Sequence, residues 1–169
     1  MRGVGGAGHG RVLGVEVLHG REAEMFVDGS DVESQLCTGG IGLRIPAELE
    51  QLPMLRAVAE TVLLTADFTL DVVTDVRVAL DEVATALILS AAPGREIDCD
   101  FRYDLRQVEV QVTTVVQTDE ALRENSFGRH LLDTLTDSIR TVYSPFDTEL
   151  RGYPVVVDFS RSRNVDADR

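Results

Sequence analysis

Residues 70–93, LDVVTDVRVALDEVATALILSAAP, set the architecture of this chain. The large apolar residues recur at steps of four, four, three and four positions, which places them on one stripe of an α-helix. The members of this stripe are Val72, Val76, Leu80, Val83 and Leu87. Pro93-Gly94 ends the helix, because proline cannot continue it. The sequence therefore predicts a long core helix that carries an acidic pair, Asp81-Glu82, beside its buried stripe.

The composition fits one ordinary domain and excludes several classes of protein. The chain has 169 residues, of which 44% are hydrophobic. Its formal net charge of −13 argues against nonspecific nucleic-acid binding and against binding to anionic membranes. Cys37 and Cys99 lie far apart without CxxC spacing, so neither a disulfide framework nor a zinc site is predicted. Without a membrane span or a signal peptide, the sequence predicts a cytoplasmic protein.

The segments around the core helix predict further helices and strands. Ile41 to Pro46 alternates as a half-buried strand does, and a first helix with Pro53 in its first turn follows. After Gly94 the apolar period falls to two, which predicts a hairpin whose strands include residues 97–103 and 108–116. Cys99 occupies an apolar position of this hairpin, so it is predicted to pack in the core.

The rest of the chain completes one layered domain. Phe127 to Tyr143 has helical spacing, and Gly152 to Phe159 has the composition of a last strand. The order of elements predicts an α+β two-layer sandwich, in which three helices cover one face of a mostly antiparallel sheet. Residues 1–40 are predicted to form a flexible N-terminal extension, residues 41–160 the domain, and residues 161–169 a flexible tail.

This order of elements, together with three local segments, resembles the GHKL-type (Bergerat-fold) ATPase domain. Specifically, it resembles the anti-sigma-factor serine kinases of the RsbW type, and within them the anti-sigma-F factors of actinobacteria. The resemblance covers residues 41–160, and one segment that carries it is Ala79 to Ala91, ALDEVATALILSA. The resemblance implies the Bergerat fold and a role in the control of a sigma factor.

The family pattern also assigns residues of a nucleotide site. Family kinases carry a glutamate as general base on the second helix and a Mg²⁺-binding asparagine four residues later. Glu82 matches the base and is assigned as a vestigial catalytic residue, whereas Ala86 stands at the asparagine position and offers no oxygen to a metal. Thr113 to Gln117 replaces the D-x-G-x-G motif, while Gly128 and Gly152 match retained glycines and are assigned to ATP binding.

A retained scaffold with degraded nucleotide motifs implies a binding protein. Phosphoryl transfer depends on positioning and charge neutralisation, so the combined losses favour an anti-sigma factor that needs no cofactor. In the family, an arginine of the first helix meets an acidic residue of sigma, and Arg56 occupies that place. An ordinary surface arginine is an equally good interpretation of Arg56.

The resemblance further implies which partners this protein has. They are a sigma factor, an anti-anti-sigma protein with a STAS domain, and a second copy of the chain in a homodimer. Neither a metal site, nor direct contact with nucleic acid, nor a membrane is expected. The alternative function is an active ATP-dependent serine kinase that phosphorylates its anti-anti-sigma factor, with ATP and Mg²⁺ as cofactors.

Overall fold

The computed structural model of the protein describes residues 15–16, 39–118 and 126–163. Within these residues the elements are β1 (Val15–Glu16), β2 (Gly39–Pro46), a 3-10 turn (Leu49–Gln51), α1 (Leu52–Thr65), α2 (Leu70–Ser90), β3 (Glu96–Tyr103), β4 (Gln107–Val116), α3 (Ser126–Leu135), β5 (Ser138–Tyr143) and β6 (Tyr153–Ser162). The strands form one antiparallel sheet in the order β1-β2-β3-β4-β6-β5. The helices pack on one face of this sheet, which confirms the predicted α+β sandwich.

Helix α2 packs its predicted stripe into the centre of the core. The five stripe residues are at most 1% exposed. At the N-terminus of the helix, the Thr69 hydroxyl accepts a hydrogen bond from the backbone N–H of Val72. The helix ends at Ser90, three residues before the predicted proline, because Ala91 has an extended backbone. Gly94 has a φ of 71°, a left-handed conformation that glycine adopts without strain.

The hairpin of β3 and β4 has the turn that the sequence predicts. The Asp104 carboxylate accepts hydrogen bonds from the backbone N–H groups of Arg106 and Gln107, which fixes this turn. Cys99 is completely buried on the face of β3 that packs against the helices, as predicted. Burial raises the pKa of the Cys99 thiol far above its usual range, so the thiol stays protonated in the core.

The third predicted helix is too long. The prediction of one helix from Phe127 to Tyr143 is wrong, because α3 ends at Leu135 and residues 138–143 form the edge strand β5. β5 pairs with β6 along its whole length, with Ile139 opposite Phe159. Ile139 therefore contributes to the core from a strand, although its spacing from Leu135 also suits a helix.

Two residues account for the change from helix to strand. The backbone N–H and the hydroxyl of Thr136 both donate to the carbonyl of Leu132, which closes the last turn of α3. The backbone N–H of Asp137 then donates to the carbonyl of Ser160, which directs the chain along β6. Hydrogen bonding from Ser162 lowers the pKa of the Asp137 carboxyl, so this connection keeps its negative charge.

The described sheet runs in sequence from β1 to β6. β2 begins at Gly39 and β6 ends at Ser162. Within the predicted N-terminal extension, β1 pairs with β2 through Val15–Leu43 and Glu16–Gly42. The rest of the extension and residues 164–169 lie outside the described residues, so their flexibility stays a prediction. No helix in the described part of the chain is long and apolar enough to cross a membrane.

Candidate functional site

Helix α1 buries one face and exposes an uncharged one. The buried residues are Leu52, Leu55, Ala59, Val62 and Leu63. The outer stripe of α1 consists of Met54, Ala57, Thr61 and Leu64, all exposed and spaced at steps of three, four and three. This spacing aligns them along one side of the helix. A partner that packs on this stripe buries no charged side chain of α1.

Arg56 lies beside the outer stripe and pairs with Asp81 of α2. Its Nε atom donates to Oδ1 of Asp81 at 2.7 Å, and its Nη2 atom donates to Oδ2 at 2.9 Å. The Arg56 and Asp81 side chains are 43% and 34% exposed, so solvent screens the pair and it contributes little to folding. Hydrogen bonding to Asp81 raises the pKa of the Arg56 guanidinium. Arg56 is thus a permanently charged group in a fixed position at the surface.

A second ion pair extends this arrangement along the same two helices. Nη1 of Arg77 lies 3.7 Å from Oε2 of Glu60, and both side chains are more than two-fifths exposed. Arg56, Glu60, Arg77 and Asp81 together form a charged row between α1 and α2, next to the outer stripe. The surface therefore combines a stripe without charge and a row in which positive and negative groups are balanced.

The predicted catalytic residue lies next to this charged row. Glu82 follows Asp81 on α2 and is half-buried. Ala86 lies about one turn further along and presents a methyl group where the family pattern has a metal-binding amide oxygen. Among the described residues, no group of three or more His, Cys, Asp or Glu side chains is arranged to hold a metal ion.

The two glycines assigned to ATP binding lie on other elements. Gly128 is buried in the first turn of α3. Gly152 precedes β6, and a Cβ atom on it would lie 2.6 Å from Cγ1 of Val115 and 2.7 Å from the carbonyl oxygen of Val116. Only glycine allows the backbone to approach β4 this closely. Packing alone therefore explains the glycine at position 152, and its part in nucleotide binding stays a prediction.

The segment that replaces the nucleotide motif forms the regular end of a strand. Thr113 to Val116 pairs with β6 without interruption. The backbone N–H of Gln117 donates to the carbonyl of Ser90, and that of Ala92 donates to the carbonyl of Val115, both at 2.9 Å. The backbone N–H of Gln117 and the carbonyl of Val115 are therefore used in hydrogen bonds within the fold. Binding of ATP and Mg²⁺, which the family pattern implies, stays a prediction for these residues.

A polar cavity of about 600 Å³ lies on the helix-free face of the sheet. Its lining includes Asp100, Arg102, Gln111, Arg140 and Asp158. Asp158 accepts hydrogen bonds from Gln111 and Arg140, which ties three strands together across this face. None of the four predicted site residues lines the cavity. The surface of α1 and α2 is thus the candidate site, because it holds Arg56, a predicted site residue, in an ion pair beside the exposed outer stripe.

The pairing of Asp81 with Arg56 is the feature of this site that the sequence does not predict. Asp81 lies 25 positions from Arg56, and their contact depends on how α1 packs against α2. Apolar periodicity predicts each helix separately but not the alignment of one helix against the other. The one available signal was that Asp81 flanks the buried stripe of α2.

Comparison with known proteins finds an anti-sigma factor among the relatives of this chain. No family model matches the sequence. The anti-sigma-F factor RsbW of Mycobacterium tuberculosis, from strains CDC 1551 / Oshkosh and ATCC 25618 / H37Rv, is 32% identical to this chain over 114 residues. The match spans 66% of this chain and 67% of the relative.

Proposed function

The chain belongs to the RsbW-type anti-sigma factors, and we propose that it sequesters an alternative sigma factor on the surface of α1. The observation that carries the proposal is the exposed, uncharged outer stripe of α1 with Arg56 fixed beside it. In this proposal the stripe supplies apolar contact and Arg56 supplies a directional contact to an acidic side chain of sigma.

The two parts of this surface contribute in different ways. Met54 and Leu64 are 38% and 45% exposed, and covering them stabilises a complex by roughly 25 cal/mol for each Å² of apolar surface removed from water. A charge-assisted hydrogen bond from Arg56 adds orientation, because a guanidinium binds a carboxylate in a planar, two-pronged geometry. The net charge of −13 also opposes nucleic acid near the complex, which suits a protein that keeps sigma away from DNA.

Membership of this family also suggests how the sigma factor is released and how the protein assembles. We infer that a STAS-domain anti-anti-sigma protein competes for this protein and frees the sigma factor. We also infer that two copies of the chain form a homodimer, which light scattering of the purified protein would measure. The site of action that fits these roles is the cytoplasm.

Kinase activity is the alternative function, and Glu82 on α2 is the observation in its favour. Against it stand the methyl group of Ala86 and the strand-paired backbone of residues 113–116. We therefore propose that the protein binds sigma without ATP or Mg²⁺.

A pull-down of the full chain against each sigma factor of the genome that encodes it tests this function. The experiment is run with and without Mg²⁺-ATP. Retention of one sigma factor at equal strength in both conditions is the expected result. Retention that requires Mg²⁺-ATP would favour the kinase instead, and no retention in either condition would refute sequestration on α1.

Arg56→Glu is expected to weaken binding of the retained sigma factor about tenfold or more, because it reverses the charge at the proposed contact. Isothermal titration calorimetry measures the change. Arg140→Glu is the matched control, since it makes the same charge change on the opposite face of the sheet, where Arg140 is 75% exposed. Equal affinities of wild type and Arg56→Glu would remove Arg56 from the binding surface.

Glu82→Ala is expected to leave the sigma affinity within about twofold of wild type, as for a surface position outside a contact. The same variant serves in a phosphorylation assay with the anti-anti-sigma protein and labelled ATP. We expect wild type and Glu82→Ala to give the same background signal. Phosphate transfer by wild type that Glu82→Ala abolishes would establish the kinase.

A further inference from the structure

Asp81 occupies only one edge of the Arg56 guanidinium. An arginine carries N–H donors on Nε, Nη1 and Nη2. The pair with Asp81 uses Nε and Nη2, so the edge formed by Nη1 and the second hydrogen of Nη2 takes no part in it. The Arg56 side chain is 43% exposed. A second carboxylate is therefore able to approach Arg56 without displacing Asp81.

The charge of Asp81 nevertheless weakens such an approach. A carboxylate on the second edge would lie ~6 Å from the Asp81 carboxylate, and repulsion between the two would offset much of its attraction to Arg56. The neighbouring pair of Glu60 and Arg77 is balanced as well, so it adds no net positive charge. A partner carboxylate alone thus gains little binding free energy at this surface. Stable binding needs the apolar contacts of the outer stripe in addition.

We propose that Asp81 is a specificity-determining residue of the sigma-binding surface. By balancing Arg56, it restricts binding to partners that present an acidic residue and an apolar helical row together. The partner segment that fits is an amphipathic helix with apolar side chains at steps of three and four, matching the outer stripe, and a carboxylate at the border of that row. This inference rests on the proposed function and adds the chemistry of the segment that is recognised.

The packing of α1 on α2 does not depend on Asp81. The five buried residues of α1 and the buried stripe of α2 belong to one apolar core cluster, which holds the helices in the fold. The Asp81 side chain is 34% exposed and lies outside that cluster. A variant that removes its charge is therefore expected to fold normally, which makes the proposal testable by binding.

Asp81→Asn keeps the shape and one acceptor oxygen of the side chain but removes its charge. We expect it to raise the affinity for the retained sigma factor about three- to fivefold at low salt, the size of a repulsion between unit charges ~6 Å apart in a nearly aqueous medium. The gain should vanish above roughly 0.5 M salt, where charges are screened within a few ångströms. Other sigma factors of the same genome that present a carboxylate should gain affinity by a similar factor, because the repulsion by Asp81 does not depend on the rest of the partner.

Two further variants identify the cause of the change. Asp75→Asn on the same helix also removes a paired carboxylate, in this case one bound to Arg161, and should leave sigma affinity unchanged. The double variant Arg56→Gln/Asp81→Asn should bind the sigma factor no more tightly than wild type. It lacks the positive charge of Arg56, which attracts the partner carboxylate in the single variant Asp81→Asn.

The outcomes separate this inference from the proposed function. A salt-sensitive gain that needs Arg56 would support the role of Asp81. Unchanged or weaker binding by Asp81→Asn, or a gain that persists in the double variant, would overturn that role while sequestration stands. Failure of wild type to bind any sigma factor would overturn both.

Discussion

Replacing Leu80 with aspartate is expected to abolish the cooperative melting transition of the domain. Leu80 lies in the middle of α2, is 1% exposed, and belongs to the apolar cluster that joins the helices to the sheet. An aspartate there would place a charge without a partner in the core. The cost is about 4 kcal/mol or more, a large part of the roughly 5–15 kcal/mol that stabilises a typical domain.

Circular dichroism during heating measures this effect, and Leu89→Asp is its matched control. Leu89 lies on the same helix but is 68% exposed, so the same substitution should leave the midpoint within a few degrees of wild type. A wild-type melting curve for Leu80→Asp would show that the stripe of α2 does not form the core.

Gly152→Ala is expected to cost about 2–3 kcal/mol of unfolding free energy, a typical penalty for a side chain forced into occupied space. The new methyl group would lie 2.6 Å from Cγ1 of Val115 and 2.7 Å from the carbonyl oxygen of Val116, so β4 or the turn before β6 must shift. Urea unfolding measures the loss. Because it arises from packing, the loss should be the same with and without Mg²⁺-ATP.

Gly94→Ala separates this collision from the general effect of replacing a glycine. Gly94 has a positive φ, but a Cβ atom on it would meet no atom within 4 Å. Its replacement should cost about 1 kcal/mol, the strain of a left-handed backbone alone. A Gly152→Ala variant as stable as Gly94→Ala would mean that the contact with β4 yields without cost.

The core of the fold was predictable because its signals are local. The stripe of α2 and the alternation of β3 and β4 each lie within one stretch of chain, and a buried stripe of this length has few other interpretations. The β5 strand was missed because Ile139 fits a helical step from Leu135. The alternating residues Ile139, Thr141 and Tyr143 were the better signal, since β-branched and aromatic residues favour strands.

The candidate site was less predictable because it depends on two helices at once. Arg56 was predicted from a family pattern, and nothing near it in sequence indicates a contact with Asp81. Their contact follows from the way in which α1 packs against α2. Side-chain volumes in three dimensions set that packing, and a one-dimensional pattern does not contain them.

The complete burial of Cys99 provides the protein with an internal reporter of its own opening. A thiol reagent reaches the Cys99 Sγ atom only in molecules whose helices have separated from the sheet, so the labelling rate measures the population of opened molecules. In a Cys37→Ser background this rate is specific to the core. Its decrease in the presence of a sigma factor would convert directly into the free energy by which that partner stabilises the fold.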